Sequence, residues 1–154
     1  MRKKVLFLLM IVAGIIINIQ QVYSQTYKSD DVKGLWLNEE KDAKVEIFRY
    51  GDKYFGKIVW LDEPNELNGK AKVDDKNPEV SLQNRPVMGL ELLKDFVYYG
   101  ADKWEDGTIY DPNNGKTYKC IITIKNPNLL YIRGYIGRAW MGLGRTTEWT
   151  RITL

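Results

Sequence analysis

Residues 43–61 read AKVEIFRYGDKYFGKIVWL. In the first part, Val45 and Ile47 alternate with Lys44 and Glu46, the period of a half-buried strand. Gly51 and Asp52 then break the run, and KYFGKIVWL (53–61) resumes it. Two extended segments joined by two turn residues are a β-hairpin. The same pattern extends outward in both directions. GLWL (34–37) precedes the hairpin. GLELLKDFVYY (89–99), KWEDGTIY (103–110), KTYKCIITIK (116–125), NLLYIRGYI (128–136) and GRTTEWTRI (144–152) follow it, with a turn cluster at Lys125–Asn128. The expected fold is all-β: an eight-stranded antiparallel up-and-down barrel, whose closure leaves no exposed edge.

A barrel of this size has an interior wide enough for side chains or for one small ligand. On 116–124 the more apolar alternate set is Tyr118, Cys120, Ile122 and Ile124, and on 129–136 it is Leu130, Ile132, Gly134 and Ile136. These are expected to face inward, with Trp60 beside them. A single bulge would invert any such assignment.

Residues 62–88 are too long a connection for a plain hairpin. Within them NPEVSLQNRP reads as one short helix: Asn77 as its cap, Pro78 at the first helical position, Glu79 at the positive end, and a stop before Arg85, which Pro86 pushes toward an extended conformation. This segment is expected to lie across one mouth of the barrel.

Residues 1–24 read as a secretory signal peptide rather than as fold. Arg2, Lys3 and Lys4 are followed by an apolar run from Val5 to Ile17, and Val22 and Ser24 suit cleavage before Gln25. A membrane anchor is the alternative, but a span needs about 20 apolar residues and this run is shorter. Residues 25–154 then form a single barrel domain in the periplasm or outside the cell, with no transmembrane segment after signal removal. Of the chain's 23 basic and 20 acidic residues, the leader takes three basic ones, so the mature part is balanced. That balance gives no electrostatic case for nucleic acid or for an anionic membrane. The only cysteine, Cys120, sits in an apolar run as a small buried hydrophobe. There is no histidine, which excludes Ser–His–Asp and Cys–His catalysis and the usual zinc site.

The two ends of the barrel carry a motif. Gly34-Leu35-Trp36 opens the first strand and Trp149-Thr150-Arg151 closes the last. This resembles the lipocalin-like superfamily, in which a G-x-W tryptophan packs under an arginine of the last strand and closes one end. A guanidinium can stack on an indole face while bonding nearby carbonyls. A longer resemblance rests on GLW, GKIVWL, DDKNPE, NRPVMGLELL, GTIYDPNNGKTY, LYIRGYIG and TEWTR in this order. Together they resemble the bacterial secreted family catalogued as domain of unknown function 2147. The resemblance implies a secreted, single-domain, lipocalin-like barrel and implies no catalytic residue.

DGTIYDPNNGKTY (106–118) invites a metal reading, but an EF-type loop starting at Asp111 would place Gly115 at its fifth position, Lys116 at its sixth and Ile122 at its twelfth. It reads instead as a turn, with Gly115 at positive φ. Trp104, Tyr110 and Tyr118 are expected at the strand ends beside it, as a ligand rim. Asp74, Asp75 and Arg85 form either a polar ligand cluster at the mouth or an ion pair pinning the long loop. Trp60 completes the ligand-binding candidates, since aromatic faces suit sugars and apolar ligands alike. The glycine-rich stretch 134–146, around Arg138, Trp140 and Met141, is an ordinary turn or a tip that inserts into a partner or membrane surface. Nothing here points to a metal, a cofactor or a convergent catalytic pair. The functional expectation is non-catalytic binding of a small, partly apolar or amphipathic ligand. The alternative is a cell-envelope structural or interaction protein whose barrel is filled by its own side chains.

Overall fold

The hairpin at 43–61 forms as its alternation dictates. In the computed structural model, which describes residues 26–152, strands β2 (Ala43–Tyr50) and β3 (Lys53–Leu61) pair around Gly51, whose φ is 61°. The other strands are β1 (Gly34–Leu37), β4 (Glu91–Gly100), β5 (Lys103–Asp111), β6 (Lys116–Asn126), β7 (Leu129–Tyr135) and β8 (Gly144–Ile152). Each pairs antiparallel with its sequence neighbours, and β8 returns to β1, so the eight strands close into a barrel. The expected signal peptide lies outside the described residues.

The interior is packed. Trp36, Leu93, Phe96, Trp104, Cys120 and Leu130 are each 0% exposed, so no water-sized probe touches them from inside or outside. Two glycines make room for this filling. A Cβ on Gly107 would sit 2.4 Å from the Phe96 ring, and one on Gly56 would sit 2.7 Å from a Leu93 methyl. Asp95 and Asp106, at φ 63° and 61°, lie in the gap between the Lys94–Thr108 and Val97–Glu105 pairs. There β4 and β5 bend and swing Phe96 over Gly107.

One end of the barrel is sealed by the segment 26–33. Val32 is fully buried and Tyr27 nearly so. The Tyr27 amide donates to Ala101 O (2.8 Å), its carbonyl accepts from the Tyr98 hydroxyl, and Trp104 Nε1 donates to Ser29 O (3.2 Å). The other end is the mouth, ringed by the 38–42, 62–90, 112–115 and 136–143 connections.

The expected short helix is only a single 3-10 turn, Val80–Leu82, without a side-chain cap. Tyr118 and Gly134 do face inward, with Cys120, Ile122, Ile124, Leu130 and Ile132 below them, but Ile136 lies past the end of β7 and is exposed. Trp60 does not face inward. A bulge at Lys44/Val45 pairs it with Lys44, on the opposite face from buried Val45, and the Lys44 ammonium lies 4.5 Å from its ring centroid.

Residues 72–90 of the long loop lie against the outer wall rather than across the mouth. Leu93 and Ile109 are paired and face the interior, so alternation puts Leu92 and Tyr110 on the outer wall. Both are nonetheless buried, because the 72–90 segment covers them. The inner wall at the mouth, at Ile109, Tyr118 and Gly134, stays only partly buried.

Candidate functional site

The best-organised polar cluster is built where the long loop meets that outer wall. The loop doubles back on itself: Val73 bridges Pro86, and the Asp74 amide donates to Arg85 O (3.0 Å). This places the Asp74 carboxylate, 0% exposed, between three donors. Oδ2 accepts from Arg85 Nη2 (2.8 Å), Arg85 Nε (2.9 Å) and Asn77 Nδ2 (2.8 Å). Oδ1 accepts from the Tyr110 hydroxyl at 2.5 Å. The Arg85 guanidinium also stands 5.6 Å from the Tyr110 ring centroid. Asn77 is central rather than a cap: Nδ2 also reaches the Tyr110 hydroxyl (3.1 Å), Oδ1 accepts from the Glu79 amide, and its carbonyl accepts from Gln83 Nε2.

The electrostatics follow from this geometry. Burial alone would raise the Asp74 carboxyl, but the bonds from Tyr110, Asn77 and Arg85 and the guanidinium charge outweigh it and hold the carboxyl below its ordinary value. Burial raises the Tyr110 phenol, and the adjacent carboxylate raises it further. Asp74 is therefore an anion with both oxygens engaged. It has no proton to give and little capacity to bond an incoming group. Its chemistry is that of a latch.

The β5–β6 turn locks onto the same segment. Asp111 Oδ1 accepts from the Asn113 amide and Oδ2 from Asn114 Nδ2, while Asp111 O accepts from the Gly115 amide. Gly115 has φ 70°, and a Cβ there would fall 1.9 Å from Lys76 O. The turn thus abuts the backbone of the latch segment. Asn114 Nδ2 also reaches the Tyr118 hydroxyl (3.1 Å). Among the described residues, no group of three or more His, Cys, Asp or Glu side chains is arranged to hold a metal ion.

The residues expected to form a ligand rim are therefore divided. Asp74, Arg85 and Tyr110 come together outside the wall, and Tyr118 stands inside the mouth. Asp75 is exposed and makes no bond in the cluster. Trp60 sits on the outer face of β3. Trp104 is not beside the 111–115 turn but at the sealed end, wedged against Tyr98 (ring centroids 5.0 Å) and Tyr54 (6.3 Å). Trp104 and Tyr110 stand near opposite ends of β5, about 20 Å apart at about 3.3 Å of rise per residue, and so belong to different poles. Sequence reasoning missed Asn77's role; the visible signal was an asparagine between an acid pair and a proline, which suits a side-chain bridge as well as a cap.

The sealed end carries the Gly34, Trp36, Trp149 and Arg151 group. The Arg151 guanidinium lies 4.0 Å from the Trp36 ring centroid. Its Nε, Nη1 and Nη2 donate to the carbonyls of Pro127 (2.7 Å), Lys33 (2.8 Å) and Asp31 (2.7 Å). Trp36 Nε1 donates to Val32 O (2.9 Å), Trp149 is buried below, and Gly34 leaves the room that Arg151 Nη1 occupies. An open depression of about 500 Å³ borders Arg151, Tyr27, Asp30 and Lys33. Three of the five N–H donors of Arg151 are already bonded to carbonyls there, which fixes the guanidinium over Trp36. Cys120 is inert: burial pushes its thiol far above the ordinary range.

Comparison with known proteins agrees with this architecture. A solved structure described as "Protein HP1028 from the human pathogen Helicobacter pylori belongs to the lipocalin family" superposes with a TM-score of 0.70 at 25% identity, covering 79% of this chain and 82% of that one. No curated protein matches the chain. The family model described as "Uncharacterized protein conserved in bacteria (DUF2147)" matches residues 34–151, from the G-x-W glycine to the closing arginine. With most of its length matched from motif to motif, the chain belongs to this family and has its lipocalin-like barrel.

Proposed function

We propose that this is an exported cell-envelope interaction protein whose barrel is a filled scaffold and whose mouth loops meet the partner. The observation that carries this reading is the packed interior, where six large or apolar inward side chains are 0% exposed. The latch supports it too, because a saturated buried carboxylate fixes a loop and performs no proton transfer. Export is supported by the basic start, apolar run and small residues of positions 1–24. N-terminal sequencing of protein from the envelope is expected to begin at Gln25; a mature chain that retains Met1 would overturn the export reading.

A second reading is favoured by the likeness to a lipocalin-family structure: non-catalytic binding of a small, partly apolar ligand. Such a ligand would seat at the mouth, against Ile109 and Tyr118, where the inner wall is still open. Native mass spectrometry of protein purified from its own envelope separates the two. The filled-scaffold reading expects the polypeptide mass alone. A small molecule retained one to one would decide for the ligand.

A further inference from the structure

We propose that the β7–β8 tip, residues 136–143, seats the barrel on a lipid bilayer surface. The proposal rests on the exported, mouth-first reading above and adds the chemistry of the partner. The tip reads IGRAWMGL. Its four large apolar side chains face solvent: Trp140 is 77% exposed, Ile136 63%, Leu143 59% and Met141 49%. They do not collapse onto the barrel, because the backbone that carries them is held. The Ile136 amide donates to Leu143 O (2.9 Å), the Met141 amide to Arg138 O (3.0 Å), and Arg133 Nη2 to Ala139 O (3.1 Å). Gly137 and Gly142, at φ 77° and 74°, fold the chain around the 3-10 turn Ala139–Met141 and turn its side chains outward.

The character of the tip selects a bilayer over a protein. Four such side chains expose an apolar patch on the order of 500 Å². A standard protein interface takes about 800 Å² from each partner, with a polar rim. The tip's one charged residue is Arg138, with no acid between Ile136 and Leu143. A tryptophan beside an arginine and aliphatic side chains suits the boundary between lipid headgroups and acyl chains. The opposite pole differs: its exposed large side chains are Tyr50 and Tyr99, and the Tyr99 hydroxyl is bonded to Asp106. The mature chain's balanced charge means that attachment comes from apolar insertion and changes little with salt.

The test uses mature protein and vesicles of phosphatidylethanolamine and phosphatidylglycerol. Trp140 is the one tryptophan that is mostly exposed, so it reports insertion; Trp36, Trp104 and Trp149 are buried. Brominated lipids are expected to quench its fluorescence at low and high ionic strength alike. Trp140→Ser combined with Met141→Ser is expected to weaken vesicle partitioning at least about tenfold, with the thermal midpoint unchanged. Val59→Ser, on the barrel wall, is expected to partition like the parent. Absent quenching, equal partitioning of the double variant, or equal loss in Val59→Ser would overturn the proposal. So would a concentration-dependent dimer abolished by the double variant, which would assign the tip to a second copy. A chain that begins at Gln25 and retains no small molecule, yet ignores vesicles, would remove the lipid assignment alone.

Discussion

Asp74 is out of contact with water and keeps its charge, so its bonds set how the protein responds to acid. Its folded carboxyl lies below the unfolded value of about 3.9. The stability it contributes is therefore complete above that value and is lost as pH falls through the lower folded one. Asp74→Asn is expected to cost about 1–3 kcal/mol near neutral pH, a modest sum because Arg85 is a third exposed and water can solvate it. Urea midpoints measured from pH 6 down to pH 2 should converge for parent and variant at the acid end. A gap that stays constant across the range would mean that the carboxylate charge contributes nothing. Gly107 is an interior counterpart. A methyl there meets the Phe96 ring at 2.4 Å, so Gly107→Ala is expected to cost about 1–3 kcal/mol or more by overpacking. Adding Phe96→Leu should recover part of that loss, seen as a favourable coupling in a double-mutant cycle.

At the level of elements, the long loop depends on the β5–β6 turn as well as on its own latch. Gly115→Ala places a residue at φ 70° and drives its Cβ into Lys76 O. Left-handed backbone alone costs an L-residue about 1–2 kcal/mol. The expected outcome is local: hydrogen exchange of amides in 72–90 accelerates and proteolysis within 62–90 becomes faster, while β2 and β6 keep their protection. Loss of protection throughout the barrel would mean that the turn is part of the global core. The strands themselves were legible, because the period of two and the turn residues at 51–52 and 125–128 are local signals. So were the inward faces of β6 and of β7 as far as Gly134. The face of Trp60 was not, since one bulge at Lys44/Val45 reverses parity and leaves no mark in composition. The position of the long loop was also hidden. Leu92 and Tyr110 read as ordinary strand residues, and their burial on the outer wall comes from a tertiary contact made by a distant segment. The site was half legible: Asp74 and Arg85 paired as one reading held, whereas Asp75 was grouped with them, and Trp104 with the 111–115 turn, by proximity in sequence and not by fold.

For the whole molecule, the question is what keeps a sheet of this length closed. The seam between β1 and β8 consists of only three residue pairs, Leu35–Ile152, Trp36–Arg151 and Leu37–Thr150, whereas β2 and β3 share eight. A seam so short supplies few ladder bonds, yet closing the ring brings together the two most distant strands and incurs the largest loop-closure entropy. Arg151 compensates by reaching beyond its own ladder. From β8 it bonds the carbonyls of Asp31 and Lys33 in the sealing segment and of Pro127 in the β6–β7 turn, and it covers Trp36 of β1. One planar side chain thus joins four parts of the chain, a task that the single ammonium of lysine cannot reproduce. Arg151→Lys is expected to lower stability by about 2 kcal/mol and Arg151→Ala by more. The loss should be spatially ordered: amides of β1, β8 and residues 26–33 exchange through a sub-global opening, while β4 to β6 still exchange only by global unfolding. Trp36 fluorescence should report solvent entry in the same step. A uniform fall in protection across all eight strands would instead show that closure and core form one indivisible unit, and that the arginine contributes to the barrel as a whole rather than to its seam.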